Sequence, residues 1–86
     1  MATLPIVISQ HARTQMVERG VHEAEVEIAI RQGVPEPARS GRMMFRKNFQ
    51  FDGTWRGRYY RVKQVAAAVA REPSRLVVVT VYSFYF

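Results

Sequence analysis

Residues 42–53 read Arg42-Met43-Met44-Phe45-Arg46-Lys47-Asn48-Phe49-Gln50-Phe51-Asp52-Gly53. Met43, Phe45, Lys47, Phe49 and Phe51 share one parity, and Arg42, Met44, Arg46, Asn48 and Gln50 share the other. Side chains alternate across a strand, so this spacing predicts a strand over 42–51 with one largely apolar and one polar face. Lys47 is the exception on the Phe side: either a bulge turns it outward or its stem snorkels. Asp52-Gly53 is a hairpin signal, and the next strand is expected to begin between Trp55 and Tyr59.

Toward the C-terminus, Tyr59 to Arg71 combines a strand-like Tyr-Tyr-Arg-Val with the run Val65 to Ala70, which has helical propensity. It is read as a strand. Glu72-Pro73-Ser74-Arg75 is a turn, and Leu76 to Phe84 is rich enough in Val, Tyr and Phe to be a well-buried strand. Toward the N-terminus, Pro35 to Gly41 is read as a linker. Before it, Glu23 to Gln32 has acidic first turns, Val26, Ala29 and Ile30 at helical spacing, a Glu27/Arg31 i,i+4 pair and Gly33 as a stop. Gln10 to Arg19 is a second helical stretch, with Ser9 as N-cap and Gly20 at the left-handed C-cap position. A short strand, Ile6 to Ile8, precedes it.

The expected fold is therefore α+β with the order β-α-α-β-β-β and no internal repeat. Two N-terminal helices should pack on one face of an antiparallel sheet and leave the other face open. With 86 residues there is room for one domain, and 48% hydrophobic residues can build one core. Cys is absent, and any metal site would have to draw on His11, His22 and seven carboxylates. No metal or cofactor is expected. The stretch MATLPIVISQHAR carries no basic n-region, and its apolar run is too short for a signal or a membrane span. A cytoplasmic, membrane-independent protein is expected.

The formal charge is +6, and it is segregated. Residues 1–38 carry three arginines against five glutamates, a net of −2, whereas residues 39–63 carry eight basic groups against Asp52 alone, a net of +7. Eleven of the thirteen basic residues are arginine, whose planar fork matches phosphate bidentately. A polyanion partner, RNA first, fits this distribution; a solvated basic face or a Glu-rich protein partner fits it as well. The outward-facing set is expected to be Arg42 and Arg46, then Arg61 and Lys63, then Thr80 and Tyr82, although a one-residue slip of register would exchange the faces.

The opening block Ser9-Gln10-His11-Ala12-Arg13-Thr14-Gln15-Met16-Val17-Glu18-Arg19-Gly20-Val21 resembles a family of small domains, domain of unknown function 4258. That family's pattern is S-x-H-A-x-x-R-M-x-E-R-G-[IV] and it closes V-x-T-V-[YW], which Val78 to Tyr82 matches. The Glu-rich second helix with Val26, Gly41-Arg42 and Tyr60-Arg61-Val62 extend the resemblance over nearly the whole chain. In layout the family is similar to the BrnT and RelE/ParE toxins of bacterial toxin–antitoxin modules. Two positions depart from the pattern: Gln15 stands where Arg is usual, and His22 where Ser or Thr usually caps the second helix.

The resemblance implies a metal-independent endoribonuclease acting on RNA, free or ribosome-associated, and held in check by a cognate antitoxin. A non-catalytic nucleic-acid- or protein-binding domain of the same fold is the alternative. His11, near the start of the first helix, is expected to stay neutral in the helix dipole and so to suit a general base; the alternative is a local structural hydrogen bond. Arg46 and Arg61 would hold the scissile phosphate, with Thr80 and Tyr82 as further donors. Arg42, Lys47, Arg58 and Lys63 would bind the RNA backbone. A solubilising role for the cations, and a packing role for Thr80 and Tyr82, are the plainer readings. The apolar end Tyr82-Ser83-Phe84-Tyr85-Phe86 is either core or an interface, such as a homodimer edge.

Overall fold

A computed structural model describes residues 4–86, so the first three residues of the N-terminal stretch lie outside it. Along the chain come β1 (Ile6–Ile8), α1 (Gln10–Arg19), α2 (Glu23–Gln32), β2 (Val34–Pro37), a 3-10 turn (Arg39–Gly41), β3 (Met43–Trp55), β4 (Arg58–Glu72) and β5 (Arg75–Tyr85). The protein is α+β, with both helices ahead of three long strands and packed on one face of a single five-stranded sheet. None of the described helices is long and apolar enough to cross a membrane.

Local chemistry sets the helix ends. Ser9 Oγ accepts the Ala12 N–H at 3.1 Å and caps α1, and Gly20, at φ 67°, ends it with its own N–H on the Met16 carbonyl. A Cβ on Gly20 would sit 2.5 Å from the Trp55 ring, so this glycine also allows β3 to approach the turn. His22 occupies the N-cap of α2, and its backbone N–H is taken by Glu25 Oε1 at 2.9 Å. The side chain three residues into the helix thus bonds back to the cap, as in a capping box. The Glu27/Arg31 pair is not formed; Arg31 donates instead to the Leu4 carbonyl at 3.0 Å.

The sheet order is β1-β5-β4-β3-β2. It is mixed rather than wholly antiparallel: β1 lies parallel to β5, with Ile6 opposite Leu76, while every other pair is antiparallel. The Pro35 to Gly41 linker is corrected in part, because residues 34–37 add an edge strand with Val34 opposite Arg46 and Glu36 opposite Met44. Two prolines in four residues hid it, since proline lacks a ladder donor. They are tolerated because the pairing uses alternate residues and the outer edge faces solvent.

The tight turn is also displaced. Asp52-Gly53 is a bulge inside β3, and the chain reverses at Arg56 (φ 51°) and Gly57 (φ 81°) between Trp55 and Arg58. Two consecutive left-handed residues make the primed two-residue turn that matches strand twist. Arg56 is held there by a hydrogen bond to the Glu18 carbonyl at 2.9 Å and by its position over the Trp55 ring.

Register confirms the alternation of 42–51. Phe45, Ala67 and Val81 stand in line on the helix-covered face, as do Lys47, Val65 and Ser83. Ala12, Met16, Val26, Ala29 and Ile30 press on Val65, Ala67, Val69, Val78 and Val81 to form the core. Small Val and Ala side chains let the helices approach closely. Val65 to Ala70 is a strand despite its alanines, because it is the central strand and pairs on both sides.

Candidate functional site

Opposite the helices, the register aligns Met44 with Ala68 and Thr80, and Arg46 with Ala66 and Tyr82. The short alanines leave a low floor between the taller side chains of β3 and β5. A groove of about 360 Å³ lies there, lined by Glu36, Pro37, Ala38, Arg39, Arg42, Met44, Arg46, Ala68, Thr80 and Tyr82. Arg42 and Arg46, from β3 and the residue before it, and Thr80 and Tyr82, from β5, are thus brought together. Arg39 and Glu36 join them from the 3-10 turn and the unforeseen edge strand.

Arg46 is already engaged: its Nε donates to Glu36 Oε1 at 2.7 Å and its Nη1 to Gln64 Oε1 at 3.3 Å. Both partners remain about half exposed, 42% for the arginine and 51% for the glutamate side chain. Such a pair is worth only about 0–1 kcal/mol, so a phosphate can displace the carboxylate at small cost. Arg19 lies over the Tyr82 ring at 5.2 Å and orients it from the side.

The other expected residues lie elsewhere. Arg61 is exposed and lines a second, shallower hollow of about 300 Å³ with Asn48, Phe49, Gln50, Asp52 and Val62. There, hydrogen bonds from Gln50 and from Tyr59 hold the Asp52 carboxyl below its ordinary 3.8. Arg58 sits at the start of β4, near the Tyr60 ring. Lys47 is half-buried on the helix side, as its parity implied.

Lys63 is corrected outright from outward to inward. It is 2% exposed, and its Nζ donates to the Gly20 carbonyl and to Glu25 Oε1. Its cation anchors α2 to the sheet and is not available to a ligand. His11 is exposed on α1, next to buried Ala12, and α1 packs on the face opposite Arg46. His11 is not among the residues that line the groove. Among the described residues there is no cluster of three or more metal-ligating side chains.

Gln15 has a definite role despite departing from the pattern. Beyond Val78, β1 has ended and the outer edge of β5 has no strand partner. Gln15 Oε1 accepts the Val81 N–H at 2.9 Å while Arg19 donates to the Val81 carbonyl, so two α1 side chains substitute for the missing strand. The Arg19 carbonyl in turn accepts the Ser83 hydroxyl and the Tyr85 hydroxyl, each at 2.9 Å. The opening block thus holds the end of β5.

The family model described as Domain of unknown function (DUF4258) matches residues 8–83, from the end of β1 into the C-terminal part of β5. The chain belongs to the DUF4258 family. The matched span contains the capped α1, the edge-holding Gln15 and Arg19, and the whole lining of the groove. No curated protein and no solved structure matches this DUF4258 domain.

Proposed function

We propose that this DUF4258 domain binds RNA through the open face of its sheet. The observation that carries the reading is the groove in which Arg39, Arg42 and Arg46 converge with the hydroxyl-bearing Thr80 and Tyr82. Arginine forks and hydroxyls are phosphate-binding groups, and three of the eight basic residues of the 39–63 segment line this face. The test is fluorescence anisotropy with a labelled RNA over a salt series. Counterion release requires affinity to fall steeply as salt rises, and Arg46→Ala should reduce the slope by roughly one. Affinity that stays level from low to physiological salt would overturn the proposal.

A second reading, a RelE- or BrnT-like endoribonuclease kept inactive by a cognate antitoxin, is favoured by Glu36. This is the carboxylate of the groove, 2.7 Å from Arg46 Nε. A carboxylate there can take the proton of a 2′-hydroxyl while arginine stabilises the charge that develops on phosphorus. Glu36 lines the groove and His11 does not, so the carboxylate suits the role better. Cleavage by the wild type in EDTA, lost in Glu36→Gln and kept in His11→Ala, supports this reading. Intact RNA under all conditions, with or without ribosomes, leaves the binding domain.

A further inference from the structure

The C-terminal half of β5 alternates between two environments. Ser83 and Tyr85 turn toward the helices, where both hydroxyls reach the Arg19 carbonyl. Tyr82, Phe84 and Phe86 are 37%, 47% and 58% exposed, an unusual row of large apolar side chains in water. The Tyr82 and Phe84 rings are nearly parallel, 19° apart, with centroids separated by 6.5 Å. That separation is at the wide end of the range of about 4.5–7 Å for aromatic pairs, and both rings keep exposed surface.

The register ties this row to polar groups on β3. Arg46, Ala66 and Tyr82 are in line across the sheet, then Asn48, Gln64 and Phe84, and Gln50 pairs with Val62, which exchanges backbone hydrogen bonds with Phe86. Two strand spacings separate the rows, about 10 Å. An aromatic row and a row of cations and amides, parallel and one nucleotide's reach apart, complement a chain that carries bases on one side and phosphates on the other. Bases of a duplex are paired and inaccessible to such rings, whereas unpaired bases stack on them.

We infer that the RNA bound by the open face is unpaired, with its bases on Tyr82, Phe84 and Phe86 and its phosphates along Arg42 and Arg46. This inference rests on the RNA-binding reading above. A second copy of the chain is disfavoured as the occupant, because the approaching faces would carry like charge in a chain of net +6.

The experiment titrates the full chain with a labelled, unstructured oligoribonucleotide, a blunt RNA duplex of the same length and the matching single-stranded DNA. The single-stranded RNA should bind at least tenfold tighter than the duplex and no more weakly than the DNA. Phe84→Ala should weaken it about 5- to 100-fold, the effect of losing one stacked base, with an unchanged salt slope and melting temperature. Equal binding of duplex and single strand, tighter binding of DNA, or an unchanged affinity in Phe84→Ala overturns the inference while RNA binding itself stands. Loss of self-association in Phe84→Ala at unchanged RNA affinity does the same and makes the row a protein interface. A wild type that binds none of the three overturns the RNA reading beneath it.

Discussion

Lys63 Nζ donates to Glu25 Oε1 at 2.7 Å, with the lysine side chain 3% exposed and the glutamate 18%. The same glutamate oxygen accepts the His22 N–H, so one carboxylate both caps α2 and neutralises a cation buried beneath it. Removing one partner of a buried pair leaves the other uncompensated, at about 3–5 kcal/mol. Glu25→Ala strands the more deeply buried charge and should cost that much in urea unfolding. Lys63→Met leaves a carboxylate that water can reach and should cost clearly less. Equal losses would show that burial of the lysine is not what sets the cost.

Gln15→Arg restores the residue usual in the family's pattern but should destabilise this chain. Arginine has no acceptor, so the Val81 N–H loses its partner, and a stranded donor costs about 1–3 kcal/mol. Amide exchange at Val81 should quicken in parallel. Unchanged exchange would mean that another group caps this edge.

Gly20→Ala combines a left-handed φ with a Cβ 2.5 Å from the Trp55 ring. Its expected cost is about 1–3 kcal/mol, seen as a lowered melting temperature together with altered Trp55 fluorescence. Gly57, also left-handed but with open space around its Cβ, should lose less on the same change.

Asp52 accepts from Gln50 Nε2 and, at 2.9 Å, from the Tyr59 hydroxyl, which lowers its carboxyl from 3.8 and raises the Tyr59 phenol from 10.0. The carboxylate's contribution to stability is present above 3.8 and lost as pH falls through the lowered value. The phenol's contribution is present below 10.0 and lost as pH rises through the raised value. The melting-temperature gap between wild type and Tyr59→Phe should therefore be level at neutral pH and close at both extremes. A gap independent of pH would rule out the bond as its source.

Glu36→Gln should tighten RNA binding several-fold, because the carboxylate competes with phosphate for Arg46. The measurement is anisotropy at fixed salt. Weakened binding would make Glu36 a contact for the ligand rather than a competitor.

Much of this architecture is legible in short-range chemistry. Ser9 marks the start of α1 through its hydroxyl and Gly20 the end through its left-handed backbone, and the alternation of 42–51 reports the two faces of β3 because pleating has period two. The edge strand was illegible because its two prolines argue locally against a ladder. The turn was misplaced because Asp-Gly is a stronger turn signal than Arg-Gly, and only the contacts of Arg56 with Glu18 and Trp55 favour the latter.

By itself the sequence determined the helices, the long strands, the α+β class and the concentration of arginine in the sheet half. Each of these depends on neighbours within a few residues. Tertiary structure alone decided which cations meet. Lys63 and Arg46 look alike in the sequence, yet register and the strand bulges bury the first beneath α2 and set the second among Glu36, Thr80 and Tyr82. Side-chain direction reverses with every one-residue slip of pairing, so the composition of a sheet face belongs to the assembled strands.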